Sequence, residues 1–259
     1  MPDQENNATN DETLTDEDDK WALITGSARR IGAEIARVLH SNGFNILVHH
    51  RSSEKEAGAL QAELNQERPR SAQLVKADLL DTATLPGIIE HCLKIAGKLD
   101  VLVNNASSFY PTPLGSITEP QWEQLMGSNL KAPLFLSQAA APHLRETGGC
   151  IVNMLDIHAH SPLPEHSVYC AAKAGLDMLT RSLAQELAPD VRVNGIAPGS
   201  ILWPEPPPEE REKKAILEET PLARLGSPRD IAECALYLIR APYVTGQIIA
   251  VDGGRSLSR

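Results

Sequence analysis

Tyr169 and Lys173 stand four residues apart in a segment, Ser167–Leu187, whose apolar spacing predicts a helix, so both side chains leave the same face. An ammonium close to a phenol favours the phenolate and draws the tyrosine toward the range useful for proton transfer. Such a pair is common on helix surfaces and gains meaning only from its company. A second candidate lies near the start, where Thr25-Gly26-Ser27-Ala28-Arg29-Arg30-Ile31-Gly32 joins an apolar run to a helical pattern. A glycine turn in that setting presents free N–H groups and the positive end of a helix dipole, which suits a pyrophosphate. A tight strand-to-helix connection with no ligand would use the same residues. The position of the turn, at the head of a strand–helix–strand unit, raises its value as a binding signal.

The end of the second predicted strand discriminates between two dinucleotides. A carboxylate there binds a ribose 2′-hydroxyl, whereas a cation accommodates a 2′-phosphate. The sequence reads His50-Arg51-Ser52, with no carboxylate before Glu54. A guanidinium that donates twice in one plane, beside a hydroxyl, fits a phosphate dianion and points to NADPH. The alternative is that Arg51 is a solvated surface charge.

The elements that must position these groups follow from the pattern of apolar residues. Short apolar runs predict strands at Trp21–Thr25, Phe44–His49, Gln73–Lys76, Val101–Asn104, Cys150–Met154, Val191–Ile196 and Ile248–Val251. Between them, Ile31, Ile35, Val38 and Leu39 recur at helical spacing, and a second helix follows a Ser52–Ser53 cap with Ala59, Leu60 and Leu64 on its inner face. Further helices are predicted at about Thr84–Ala96, Pro120–Leu144, Ser167–Leu187 and Pro228–Ile239. This alternation implies a doubly wound parallel sheet of about seven strands, with helices on both faces and a ligand crevice beyond the carboxyl ends of the strands. The proline-rich stretch Pro204–Glu212 is too polar and broken for a core element; it reads either as a flap over a substrate or as a plain surface loop.

Composition excludes several classes. The formal charge of −10 is concentrated at the start: eight acidic residues and one lysine fall in the first twenty positions, so the remainder carries only −3. Residues 1–19 have too little apolar surface to offset the entropy of ordering, and are expected to form a solvated acidic tail ahead of one catalytic domain, 20–259. That tail lacks the basic start and apolar stretch of a secretion signal. No run is apolar enough for a membrane span and no basic patch forms a track for nucleic acid, so the expected partner is a small molecule. Cys92, Cys150, Cys170 and Cys234 are widely spaced and make no metal-ligand pattern with the eight histidines, as expected for reduced thiols in a cytoplasmic protein.

The glycine turn resembles the TGxxxGxG motif of the short-chain dehydrogenases/reductases, with Arg30 where the middle glycine usually stands; the string TGSARRIG is similar to that of the pteridine reductases within that family. The Tyr169–Lys173 pair lies between the fifth and sixth predicted strands, where the family carries its Tyr-xxx-Lys, and Asn129 falls in a Ser-Asn-Leu-Lys segment that resembles the family's catalytic asparagine. The resemblance covers nearly the whole chain after the tail. It implies a Rossmann-like single domain and a cofactor site that includes Gly26, Arg29, Arg30, Ile31, Asp78 and Leu79. The wall of that site would continue through Asn105, Ala106 and Ser107, the catalytic Tyr169 and Lys173, and the run Pro198-Gly199-Ser200-Ile201. His50, Arg51 and Ser52 complete the set.

Thirteen residues before its tyrosine that family normally carries a serine that orients a carbonyl; here the residue is Asp156, as in the pteridine reductases. A carboxylate repels a developing alkoxide, which argues against ordinary ketone reduction and for a nitrogen-bearing substrate. The strings Asn104-Asn105-Ala106-Ser107-Ser108-Phe109-Tyr110-Pro111 and Ala197–Glu205 also look like those reductases. Phe109 sits in a polar, proline-bounded loop, where its ring could stack on a flat heterocycle or turn into the core. The resemblance implies NADPH-dependent reduction of a pterin C=N bond, dihydropterin to tetrahydropterin, with dihydrofolate as a second acceptor. Asp156, Tyr169, Lys173 and Asn129 would be catalytic, the asparagine supporting the lysine through water, and Arg30, Ser107, Phe109 and Trp203 would contact substrate. The runner-up is a 3-oxoacyl thioester reductase of the same fold; a non-catalytic nucleotide-sensing protein is disfavoured by the intact Tyr169, Lys173 and Asn129. A homotetramer is also implied, with the Ser167–Leu187 helix in an interface through Ala171, Ala172, Ala174 and Gly175, unless those small residues pack on their own sheet.

A segment with so little to bury contributes little to the fold. Deleting residues 1–19 is expected to leave the thermal midpoint and turnover nearly unchanged; calorimetry and steady-state assay of the truncated protein check this, and a large loss in either would show that the segment docks.

Overall fold

The computed structural model describes residues 19–203 and 207–258. The expected tail therefore lies outside the described residues except for Asp19, as do positions 204–206 of the proline-rich stretch. Seven strands, β1 (Lys20–Ile24), β2 (Phe44–His50), β3 (Ala72–Lys76), β4 (Val101–Asn104), β5 (Cys150–Met154), β6 (Arg192–Pro198) and β7 (Ile248–Val251), form one sheet in the order β3-β2-β1-β4-β5-β6-β7. Every pair is parallel. All seven predicted strands are present, with ends displaced by a residue or two. The winding reverses between β1 and β4, which pair directly through Ala22 with Val101 and Ile24 with Val103. A crevice must open there at the carboxyl edge, because the loops after the two strands depart in opposite directions.

Helices α1 (Arg30–Ser41), α2 (Glu54–Glu67), α3 (Leu85–Ala96), α4 (Glu119–Met126), α5 (Ala132–Thr147), α6 (Ser167–Glu186), α7 (Glu210–Glu218) and α8 (Pro228–Arg240) complete the layers. Alternation along β1 shows how the two faces are filled: Ala22 and Ile24 join the core of α1, α2 and α8, whereas Trp21 and Leu23 join that of α3, α5 and α6. Burial pushes the thiol of Cys92 up to about 12 and that of Cys150 up to about 11, so both are unreactive core residues. All four cysteines are free. Among the described residues no helix is long and apolar enough to cross a membrane.

Three details differ from the sequence-based expectation. The long helix predicted at Pro120–Leu144 runs as α4 and α5 joined by a π turn at Gly127–Lys131, and that one-residue widening carries Asn129. No apolar stripe announces α7, which buries none of its residues; its first turn occupies 210–212 of the expected flap. The Ser52–Ser53 pair does not cap α2, since the N-cap residue Ser53 makes no side-chain hydrogen bond to the helix.

A buried polar chain joins the middle of the sheet to its helices. Asn104 Nδ2 donates to Asn153 Oδ1 at 2.8 Å, and Asn153 Nδ2 donates to Thr180 Oγ1 at 2.9 Å, with Asn153 fully buried. It ties β4 and β5 to α6, the helix that carries Tyr169 and Lys173. Replacing Asn153 by Leu would remove both bonds, leaving Asn104 Nδ2 its longer contact with Ser137 and Thr180 its bond to the Leu176 carbonyl, and is expected to cost about 1–3 kcal/mol in urea unfolding.

Candidate active site

The turn after β1 is shaped by contact with the loop after β4. Gly26 has φ of +62°, and a Cβ on it would stand 3.0 Å from Ala106 Cα; a Cβ on Gly32 would stand 2.6 Å from both Asn105 Nδ2 and the Gly26 carbonyl oxygen. Only glycine fits this approach. Thr25 Oγ1 accepts from the amides of Asn105 and Ala106 at 2.9 and 3.0 Å, and Asn105 Nδ2 donates to the carbonyls of Thr25 and Gly26 at 2.8 and 3.1 Å. The residue that departs from the family motif, Arg30, holds φ of 55°, a left-handed conformation for which a glycine is the usual choice. Helix α1 then begins after Arg29 with no side-chain cap, which leaves its first amides for another acceptor.

These amides border a crevice of about 490 Å³ along the carboxyl edge of the sheet. Gly26, Arg29, Arg30 and Ile31 line it at the α1 end, and His50, Arg51, Ser52, Asp78 and Leu79 at the β2–β3 end. Arg51 is exposed and forms no ion pair with the described residues, so its guanidinium is available to an anion. Asn105, Ala106 and Ser107 form the floor; Pro198, Gly199 and Ile201 form the far wall. Ser200 does not line the crevice, because its hydroxyl accepts from Arg255 Nη1 at 2.7 Å. The uncapped amides, the glycine approach and the cation at one end together fit an extended dinucleotide.

At the other end of the crevice, Tyr169 and Lys173 are 4% and 2% exposed. The Tyr169 hydroxyl donates to Asp156 Oδ2 at 2.8 Å, and Asp156 Oδ1 accepts from the amide of His158 at 2.9 Å, which anchors the carboxylate. Lys173 Nζ donates to the Met154 carbonyl at 2.8 Å and stands 5.6 Å from the centre of the Tyr169 ring. Burial pulls Lys173 down to about 8. The sequence-based expectation of a tyrosine eased toward phenolate is corrected: burial first, then the charge of Asp156, holds Tyr169 well above its ordinary value, so the phenol is protonated.

Asn129 is buried in the π turn and faces the loop after β4: its Oδ1 accepts from Ser107 Oγ at 2.6 Å, and its Nδ2 donates to the carbonyls of Ser108 and Leu125, both at 2.9 Å. It therefore fixes the Ser107–Ser108 segment of the crevice floor. Phe109 is 49% exposed, stacked on His166 at 4.7 Å between centroids and edge-on to Tyr169 at 4.8 Å. Its ring stays out of the core, next to the tyrosine. Trp203 lies apart from these residues, where it lines a second cavity of about 560 Å³ under α7. Its carbonyl accepts from the Arg30 guanidinium at 3.4 and 3.5 Å.

Sequence reasoning passed over His49, Met154 and Leu202, which also line the crevice. Met154 acts through its carbonyl, which every residue type possesses, so no signal marks it. His49 carried one: with His50 it follows the apolar run Ile46–Val48 within a wholly buried strand.

Comparison with known proteins agrees with this geometry. Residues 26–256 match a family described as enoyl-(acyl carrier protein) reductase. The chain is 38% identical to pteridine reductase 1 of Leishmania tarentolae, over 92% of this chain and 96% of that protein. It is 35% identical to the 3-oxoacyl-(acyl-carrier-protein) reductase FabG of Staphylococcus aureus strain Mu50, over 91% of this chain and 97% of that protein. An uncharacterized oxidoreductase of Escherichia coli K12, YohF, is 34% identical over 92% of this chain and 96% of its own length. With its parallel seven-stranded sheet and a match across nearly all of its length, the chain belongs to the short-chain dehydrogenase/reductase family, as a reductase that uses a nicotinamide dinucleotide.

Proposed function

We propose that this reductase transfers hydride from NADPH to a C=N bond of a pterin, taking a dihydropterin to the tetrahydro form and accepting dihydrofolate as well. The observation that carries the reading is the 2.8 Å hydrogen bond from Tyr169 to Asp156. Carbonyl reduction builds an alkoxide beside the tyrosine, and an anchored carboxylate there would oppose it. Reduction of an imine instead leaves nitrogen to be protonated, and the amino and ring N–H groups of a pterin donate to a carboxylate.

When bound, the reduced nicotinamide supplies the hydride. Tyr169, protonated in the resting site, gives its proton to the ring nitrogen, and Asp156 orients the phenol and is the route by which the proton is replaced. Lys173, cationic below about 8, stabilises the phenolate left behind and holds the nicotinamide ribose. Asn129 holds Ser107, whose hydroxyl lies beside the Tyr169 phenol, and would support the lysine through water. Arg30 and Ser107 line the crevice, whereas Phe109 does not; its ring, stacked on His166 and edge-on to Tyr169, would have to leave His166 or use its other face to meet the flat heterocycle. Trp203 contributes through its carbonyl contact with Arg30. The likeness to FabG supports a second reading, reduction of a 3-oxoacyl thioester, which a substrate panel separates. For assembly, Ala171, Ala174 and Met178 form an exposed face of α6, which supports a homotetramer built on that helix, whereas Ala172 is buried and Gly175 lies against Leu130 of the same chain.

Asp156→Ala is expected to lower dihydropterin turnover on the order of a hundredfold, the usual scale for a positioned proton-transfer group, while leaving NADPH affinity intact. Turnover of the unchanged enzyme should fall as pH rises through about 8, where Lys173 loses its proton. Near-normal turnover in the alanine variant, measured at steady state, would remove the argument for a pterin.

Arg51 and Ser52 border the part of the crevice where a 2′-phosphate would lie. NADPH should therefore be preferred to NADH, and Arg51→Asp should erase or invert that preference in kcat/KM; equal efficiency with both cofactors in the unchanged protein would refute it.

A further inference from the structure

His49 precedes the residues that read the ribose phosphate, yet it is 3% exposed and makes a contact of a different kind. Its Nδ1 stands 3.0 Å from the Gly26 amide nitrogen and accepts that hydrogen, and its carbonyl accepts from the amide of Ser27 at 3.0 Å. One residue of β2 thus holds two consecutive amides of the glycine turn. An Nδ1 that accepts requires the neutral ring with its proton on Nε2. Burial keeps it so, pulling the imidazole down to about 4.

The opposite side of the turn is held by Thr25 and Asn105, as described above, so Gly26 is clamped between β2 and the loop after β4. Gly26 itself has φ of +62°, and Asn105 ties the peptides on both sides of it through the Thr25 and Gly26 carbonyls. Without Nδ1 the Gly26 N–H would have no acceptor, the β2 side of the turn would be held by the Ser27 amide alone, and the uncapped amides that follow would lose part of their support.

We infer that His49 is a positioning residue for the dinucleotide: by accepting from the Gly26 amide, its Nδ1 fixes the turn that presents the α1 amides to the pyrophosphate. The role is exerted through Gly26 and rests on the reading that the crevice takes NADPH. It requires an acceptor one bond from Cγ. Asparagine supplies one, since Oδ1 occupies the place of Nδ1, whereas leucine reproduces the same branching with no acceptor.

The test compares the unchanged protein with His49→Asn and His49→Leu. NADPH affinity is read from nucleotide fluorescence, and hydrogen exchange of the Gly26 amide is measured in the ligand-free protein. The leucine variant should bind NADPH on the order of tenfold more weakly, the consequence of one orphaned buried donor, and its Gly26 amide should exchange faster by a similar factor. Its loss in kcat/KM should be carried mainly by KM for NADPH. The asparagine variant should recover most of the affinity and of the protection. Should leucine not fold, His49→Gln takes its place, because the glutamine amide falls at the Nε2 position and leaves the Gly26 donor unmet. Equal weakening by Asn and Leu, or by neither, would overturn the inference while leaving the NADPH reading intact. An unchanged protein that binds neither NADPH nor NADH would overturn both, and the Gly26 exchange rates would then report the hydrogen bond alone.

Discussion

The carboxyl ends of β1 and β4 come so close that the loops leaving them share atoms' worth of space, and the rest of the site depends on that approach. Side-by-side pairing of the two strands brings the Gly26 turn against Asn105 and Ala106, where a single Cβ on Gly26 would stand 3.0 Å from backbone. Thr25 and Asn105 convert this crowding into four hydrogen bonds. The turn cannot sag toward the sheet, so the amides at the start of α1 remain directed at the crevice. The same loop continues into Ser107 and Phe109, so one steric contact also helps to place the residues beside Tyr169.

At the catalytic end, the controlling fact is burial of charge. Lys173 is almost wholly buried at the crevice wall and donates to one carbonyl, so its ammonium is held there at a cost in solvation that pulls it down to about 8. Asp156 partly offsets that cost and in turn holds the phenol of Tyr169 protonated. The three groups form one electrostatic unit in which the proton resides on the tyrosine, directed at the Asp156 carboxylate. A serine in place of Asp156 would remove the negative member and leave a site suited to a developing alkoxide.

Helix α6 transmits the sheet's order to that unit. The chain of Asn104, Asn153 and Thr180 fixes the helix against β4 and β5 from inside the core, and the π turn before α5 brings Asn129 to Ser107 from the other side. Asn129, Asn153 and Thr180 thus satisfy their neighbours' polar groups, whereas Asn104 Oδ1 is buried with no partner among the described residues.

Apolar periodicity by itself determined the parallel sheet, its seven strands and most of the helices, because the central strands are buried on both faces and most helices on one. Local spacing likewise determined that Tyr169 and Lys173 share a helix face and that Arg51 follows a strand with no carboxylate at its end. Only tertiary structure decided the rest. The protonation of Tyr169 depends on burial and on Asp156, thirteen positions away, and no local pattern reports a desolvation. Ser200 turned to Arg255, Trp203 turned to a separate cavity, and Asn129 turned to Ser107, since each hydroxyl, ring or amide takes whichever partner the fold brings within reach. Helix α7 buries nothing and so left no periodic mark. His49 was visible as a residue type, but its partner is a backbone amide on another strand's loop, and every residue but proline has such an amide; only the folded chain could select Gly26.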